Sequence, residues 1–168
     1  MLKCIGFLIV ILSSISLGYL RFQKLNTRVI FLTKYLQFIN YLEVEIRYSS
    51  DVVFELIKKY SSIDTINNFL LYFINKINDN ISLPEAWNQS LYKVKDICGL
   101  DNEDVELIYN FGNNLGKSDI EGQISNCKLN KELIDNRIAL ALDKKEKKGK
   151  LYFILYILGG LTIVLFFL

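Results

Sequence analysis

Residues 151–168 read LYFILYILGGLTIVLFFL, eighteen residues without a charge, thirteen of them Leu, Ile, Phe or Val. At roughly −0.3 to −0.6 kcal/mol for each such residue at a central helix position, insertion into a bilayer is favourable by several kcal/mol. A buried core helix is the competing reading, but the polar part of this chain has no use for so long a helix that is apolar all round. Gly159 and Gly160 interrupt the run and can admit a close helix neighbour, which alone is a weak sign of association.

The other end mirrors it. Residues 4–20, CIGFLIVILSSISLGYL, are uncharged and as a helix would extend about 25 Å. That is short for a hydrocarbon core of about 30 Å, and Lys3 and Arg21 can reach outward to close the difference. A cleaved signal peptide is the alternative, given the small residues of Ser14-Ile15-Ser16-Leu17-Gly18. Against it, only one lysine precedes the run, and the helical pattern continues unbroken from Tyr19 to Val29.

Of the 20 Lys+Arg and 18 Asp+Glu, all but Lys3 fall within residues 21–150. A polar middle between two apolar ends excludes intrinsic disorder and a plain soluble enzyme. The expected organisation is a span at 4–20, a domain at 21–150 and a span at 151–168. Arg21, Lys24 and Arg28 follow the first span; Lys144, Lys145, Lys147, Lys148 and Lys150 precede the second. Positive residues stay on the cytoplasmic side, so both termini are expected outside and the domain inside. The lysine run is suited to anionic head groups, whereas a net charge of +2 makes no nucleic-acid footprint.

Absent residue types narrow the chemistry. With no His, there is no Ser-His or Cys-His pair and no imidazole base or metal ligand. Cys4, Cys98 and Cys127 are too few and too far apart for a disulfide framework or a four-thiolate zinc site, and read as one bilayer residue and two small core hydrophobes. No cofactor or metal is expected. Gly116-Lys117-Ser118 lacks the upstream glycine and the preceding strand of a phosphate loop.

The middle is helical throughout. Leu25, Val29, Leu32, Leu36, Ile39 and Ile46 recur at steps of three and four, with Glu43 filling one turn of the series. A break at 49–51 precedes a short helix with Val53, Leu56 and Ile57. Asp64 is expected to cap a third helix carrying Ile66, Leu70, Phe73 and Ile77. Ser82 and Glu85 have capping-box spacing around Pro84, opening a fourth with Trp87, Leu91 and Val94 inward. Asp101 starts a fifth, with Val105, Ile108, Phe111 or Gly112, and Leu115 inward, and Gly116 falls where a left-handed terminating residue is needed. Ser118 and Glu121 repeat the box before a sixth helix. Its Ile120, Ile124, Cys127, Lys131, Ile134, Ile138 and Ala141 form a heptad-like seam with one polar intrusion. The fold class is therefore all-α: a six-helix cytoplasmic bundle flanked by two transmembrane helices that continue its first and last helices.

Two stretches stand out as candidate contact surfaces. Asp101, Glu103, Asp104 and Glu106 form the densest acidic cluster; capping of a helix start explains it, and an acidic docking patch is its second use. Leu115, Lys117, Ser118, Asp119 and Glu121 form a helix stop and restart, which is a candidate protein-binding turn or a capping device alone.

At Glu45-Ile46-Arg47-Tyr48, at Leu83-Pro84-Glu85-Ala86-Trp87, and from Phe111-Gly112-Asn113-Asn114-Leu115-Gly116 to Ser118-Asp119 and Gln123, the chain resembles the stage III sporulation protein AB family over essentially its full length. The resemblance implies a six-helix cytoplasmic domain similar to those of the type II secretion system inner-membrane F protein. It also implies a place in a mother-cell to forespore channel, beside a cytoplasmic secretion-type ATPase and other membrane subunits, with no catalytic residue. Secretion F proteins have two such domains and three spans, so self-association as a homo-oligomer is the implied source of a second copy here. A non-enzymatic platform docking the ATPase is the leading expectation. A pore-forming or gating subunit is the alternative, and a lipid-modifying enzyme using Asp or Glu has less support.

Overall fold

The computed structural model describes residues 2–49 and 51–166; the side chains of residues 2–11, Phe153 and Leu161 also lie outside the described set. Six helices follow in order: α1 (Leu2–Tyr48), α2 (Val53–Ser61), α3 (Phe69–Asn78), α4 (Leu83–Cys98), α5 (Asn102–Asn114) and α6 (Ile120–Phe166), with no strand among the described residues. The first and last have 47 residues each, about 70 Å of helix. They run antiparallel along one seam, and α2 to α5 pack on the part of that pair remote from the apolar ends.

The seam follows from the two apolar stripes. Leu32, Ile39 and Ile46 of α1 and Ile124, Cys127, Ile134 and Ala141 of α6 are buried. The polar intrusions, Glu43 and Lys131, meet each other at 2.8 Å. Two apparent flaws in separate heptads are thus one ion pair that fixes register. Further along, Lys145 donates to Asn26 at 2.7 Å and Phe22 lies against Gly149. Ile120, expected inward, is exposed, because the helix begins there beyond the end of the seam.

A second face of α1, Phe31, Tyr35, Phe38 and Leu42, turns to the smaller helices. Its Tyr35 and Phe38 rings surround Trp87 together with Phe69 and Phe73 of α3 and Phe111 of α5. The Trp87 indole donates to the Ile108 carbonyl at 2.9 Å, which satisfies its one polar atom in the centre of the core.

The expected starts of α3 and α4 differ. Asp64 does not open α3: its carboxylate accepts from the Ile66 amide at 2.7 Å and pairs with Lys34 at 2.8 Å. Ile66, Asn67 and Asn68 then take left-handed φ of 48°, 52° and 69°, so α3 begins only at Phe69. That conformation is costly for a β-branched residue, and burial of the Ile66 side chain offsets it. Ser82 does stand before α4, but its side chain makes no capping bond. Pro84 brings no N–H to the first turn, and Glu85 accepts from Gln89 instead.

Of the two expected spans, one has a counterpart among the described residues: α6 contains a stretch long and apolar enough to cross a membrane, and only 12% of it is buried. Residues 167 and 168 of that expected span lie outside the described set, as do the side chains of residues 4–11 in the expected first span.

Candidate docking site

The acidic cluster is built into the body rather than laid on it. Asp101 and Asp104 cap α5 reciprocally, each carboxylate accepting from the other's amide at 3.1 Å. Asp104 is fully buried and takes a bidentate hold from Arg28 of α1, at 2.7 and 3.0 Å, and a third bond from Arg137 of α6 at 2.8 Å. Arg28 also reaches Asp101 at 2.8 Å, and Arg137 reaches both Asp101 and Glu103. Burial pushes the Asp104 carboxyl up, but the bonds from Arg28, Arg137 and the Asp101 amide outweigh it and hold the group below the ordinary aspartate value. Capping and these ion pairs are thus one use of the cluster: Asp101, Glu103 and Asp104 join α1, α5 and α6. Among its four members only Glu106 makes no ion pair among the described residues.

The turn at 115–121 divides in a similar way. Leu115 is buried and belongs to the core. Gly116 takes φ of 72°, a left-handed position suited to glycine. Lys117, Ser118, Asp119 and Glu121 are exposed. Asp119, rather than Ser118, caps α6, accepting from the Gly122 amide at 3.0 Å. Buried Gln123 ties the turn together: it accepts from the Gly116 amide at 3.1 Å and donates to the Asn114 carbonyl at 3.1 Å and to Ser118 Oγ at 2.7 Å. Its spacing alone gave no sign of this work; nor did that of Arg28 or Arg137.

The acidic cluster borders a groove that ends at Asn114, just before the 115–121 turn. The groove, of about 350 Å³, runs between α5 and α6, from Glu103 and Glu106 at one end to Asn114 at the other. Leu107, Phe111, Leu129 and Leu133 give it apolar walls, and asparagines line its rim. Leu129 and Leu133 are exposed there, on the side of α6 turned away from the α1 seam. Such a surface can accept an apolar side chain framed by polar partners. It offers no nucleophile–base pair, and no cluster of His, Cys, Asp or Glu able to hold a metal is found among the described residues.

Two of the three sequence stretches that carried the family resemblance meet at Trp87. A Cβ at Gly112 would lie 2.1 Å from the indole, so Gly112 makes room for Trp87, and the residues after it form the turn held by Gln123. The family model for stage III sporulation protein AB matches residues 3–168. The chain belongs to the stage III sporulation protein AB family. Its setting is accordingly sporulation, and the six-helix architecture described above is the form the family takes in this chain. Among curated proteins and among solved structures, nothing matches it.

Proposed function

We propose that the chain is a non-enzymatic, membrane-anchored platform in a sporulation-specific secretion or channel complex between mother cell and forespore, and that its body docks a cytoplasmic secretion-type ATPase. The observation that carries this reading is the shared exit of α1 and α6. Two long helices leave the body side by side, and Leu12, Leu17, Leu20, Leu151, Leu155 and Leu158 stand exposed along them. Water penalises such a surface and lipid does not. On this reading residues 4–20 and 151–168 are spans, 21–150 is the cytoplasmic domain, and both termini lie outside because the cations collect at the base of the spans. The hydroxyls of Ser16 and Thr162 bond carbonyls of their own helices at 2.9 and 2.8 Å. Side chains so occupied favour anchors over a pore.

The groove is the proposed contact for the ATPase, and the proposed contact continues past Asn114 onto Lys117, Ser118, Asp119 and Glu121. Arg137, which binds the groove's Glu103, is thirteen residues before Lys150, about 20 Å along α6, within reach of a partner that never enters the bilayer. Glu106, which lines the groove and makes no ion pair among the described residues, favours a partner surface in which an apolar anchor is flanked by a cation. Co-purification of the full-length chain from membranes with the ATPase tests the reading. Leu129→Glu with Leu133→Glu is expected to abolish retention while the helix content stays unchanged. Undiminished retention by that folded variant, or none by the unaltered chain, contradicts it. Asp119→Asn keeps the α6 cap and removes the charge, so its effect on retention reports the turn's own contact.

A further inference from the structure

At the level where the polar body meets the apolar ends, a cleft of about 190 Å³ opens between α1, α6 and the end of α4. Arg21, Lys24 and Lys144 line it, together with Leu25, Gly99 and Tyr152. Arg28 also borders it, but that guanidinium is taken by Asp101 and Asp104. No carboxylate lines the cleft, and Arg21, Lys24 and Lys144 make no ion pair among the described residues. Other lysines of the same run are engaged: Lys145 with Asn26 and Lys147 with Asp143. The cleft thus gathers three unspent cations and a phenol in one concave place, which a merely solvated charge run would not do.

We propose that this cleft binds the phosphate of an anionic phospholipid. Cations at three corners suit a phosphodiester, Tyr152 can donate to one of its oxygens, and the adjoining apolar turns beginning at Leu20 and Leu151 give the acyl chains a continuous surface. Free phosphate satisfies the same cations but gains nothing from those turns. The inference rests on the proposed membrane insertion of the two long helices.

The experiment uses the full-length chain in uncharged detergent micelles, where no anionic surface exists, with native mass spectrometry reading bound lipid. The probes are short-chain phosphatidylglycerol, short-chain phosphatidylcholine and inorganic phosphate. One phosphatidylglycerol is expected to bind. The triple variant Arg21→Gln, Lys24→Gln, Lys144→Gln should weaken it by about a hundredfold, taking the contribution of each cation near a membrane surface as the guide. A matched triple, Lys147→Gln, Lys148→Gln, Lys150→Gln, removes equal charge outside the cleft and should retain it. Equal losses in the two triples, equal binding of phosphatidylcholine, or displacement by inorganic phosphate at equal concentration would each overturn the proposal. Should the cleft triple lose helix content, Lys144→Gln alone is compared with Lys148→Gln under the same criteria. Extraction of the unaltered chain from phosphatidylcholine vesicles by alkali would refute insertion itself, whereas a chain that stays inserted yet binds no phosphatidylglycerol refutes the cleft alone.

Discussion

A methyl group on Gly112 would collide with the Trp87 ring at 2.1 Å, and neither partner can yield, since the indole is boxed in by Phe38, Phe69 and Phe73. Gly112→Ala is expected to destabilise by about 1–3 kcal/mol as an overpacked core does. Trp87 is the one tryptophan, so a red shift of the native emission together with a lower unfolding midpoint in detergent checks this; an unchanged spectrum and midpoint contradict it. Asp104 supplies a second test. Its depressed pKa means the stabilisation is complete above the ordinary unfolded value, about 4, and is lost as pH falls through the lower native value. Asp104→Asn leaves nearly buried Arg28 without its bidentate partner and should cost about 3–5 kcal/mol at pH 7, with a shallower acid limb than the unaltered chain in melting temperature measured from pH 7 to 3. Asp101 and Asp104 were legible as a helix start because capping is local. Their arginine partners, 76 and 33 residues from Asp104, were not, because nothing in local spacing records which distant helices meet.

At the scale of elements, the α1 and α6 stripes were legible because heptad spacing is a property of one segment, and so was the passage of each helix into an apolar run. The start of α3 was not: Asp64 has the chemistry of a cap, and only the left-handed turn at Ile66, Asn67 and Asn68 displaces the helix to Phe69. The capping box expected at Ser82 failed for a similar reason, since residue type permits a bond that the local geometry leaves unmade. The antiparallel register itself can be tested directly. In a chain with Cys4→Ser, Asn26→Cys with Lys145→Cys should be bridged within one chain by a short bis-maleimide, whose reach replaces that of the Lys145 side chain to Asn26. Asn26→Cys with Leu133→Cys should not, being about three turns out of register. Only intermolecular dimers from the first pair, or efficient crosslinking of the second, would contradict the seam.

For the whole molecule, the arrangement is a helical body on two stalks, with the Arg28–Asp104–Arg137 network joining both stalks to α5. In the proposed platform, a partner held at the α5/α6 groove would be connected to the apolar ends through this network and the two long helices. One end of the groove was visible in the sequence as the acidic cluster; that Leu107 and Phe111 of α5 and Leu129 and Leu133 of α6 form one surface depends on how α5 lies on α6, which the sequence pattern does not encode. Native Cys98 and Cys127 cannot report which side of a membrane the body occupies. Both are fully buried, and burial, helped by Glu43, pushes the Cys127 thiol up to about 12, so neither should react with a maleimide from either side. An exposed reporter is needed, and Ile63, 71% exposed on the body, provides the position. With Cys4→Ser and Ile63→Cys in the full chain, a membrane-impermeant maleimide should label nothing in intact cells and label the introduced thiol once the membrane is opened, with the protein resisting alkaline extraction throughout. Labelling of Ile63→Cys in intact cells, or release of the chain by alkali, would contradict a cytoplasmic body anchored at both ends.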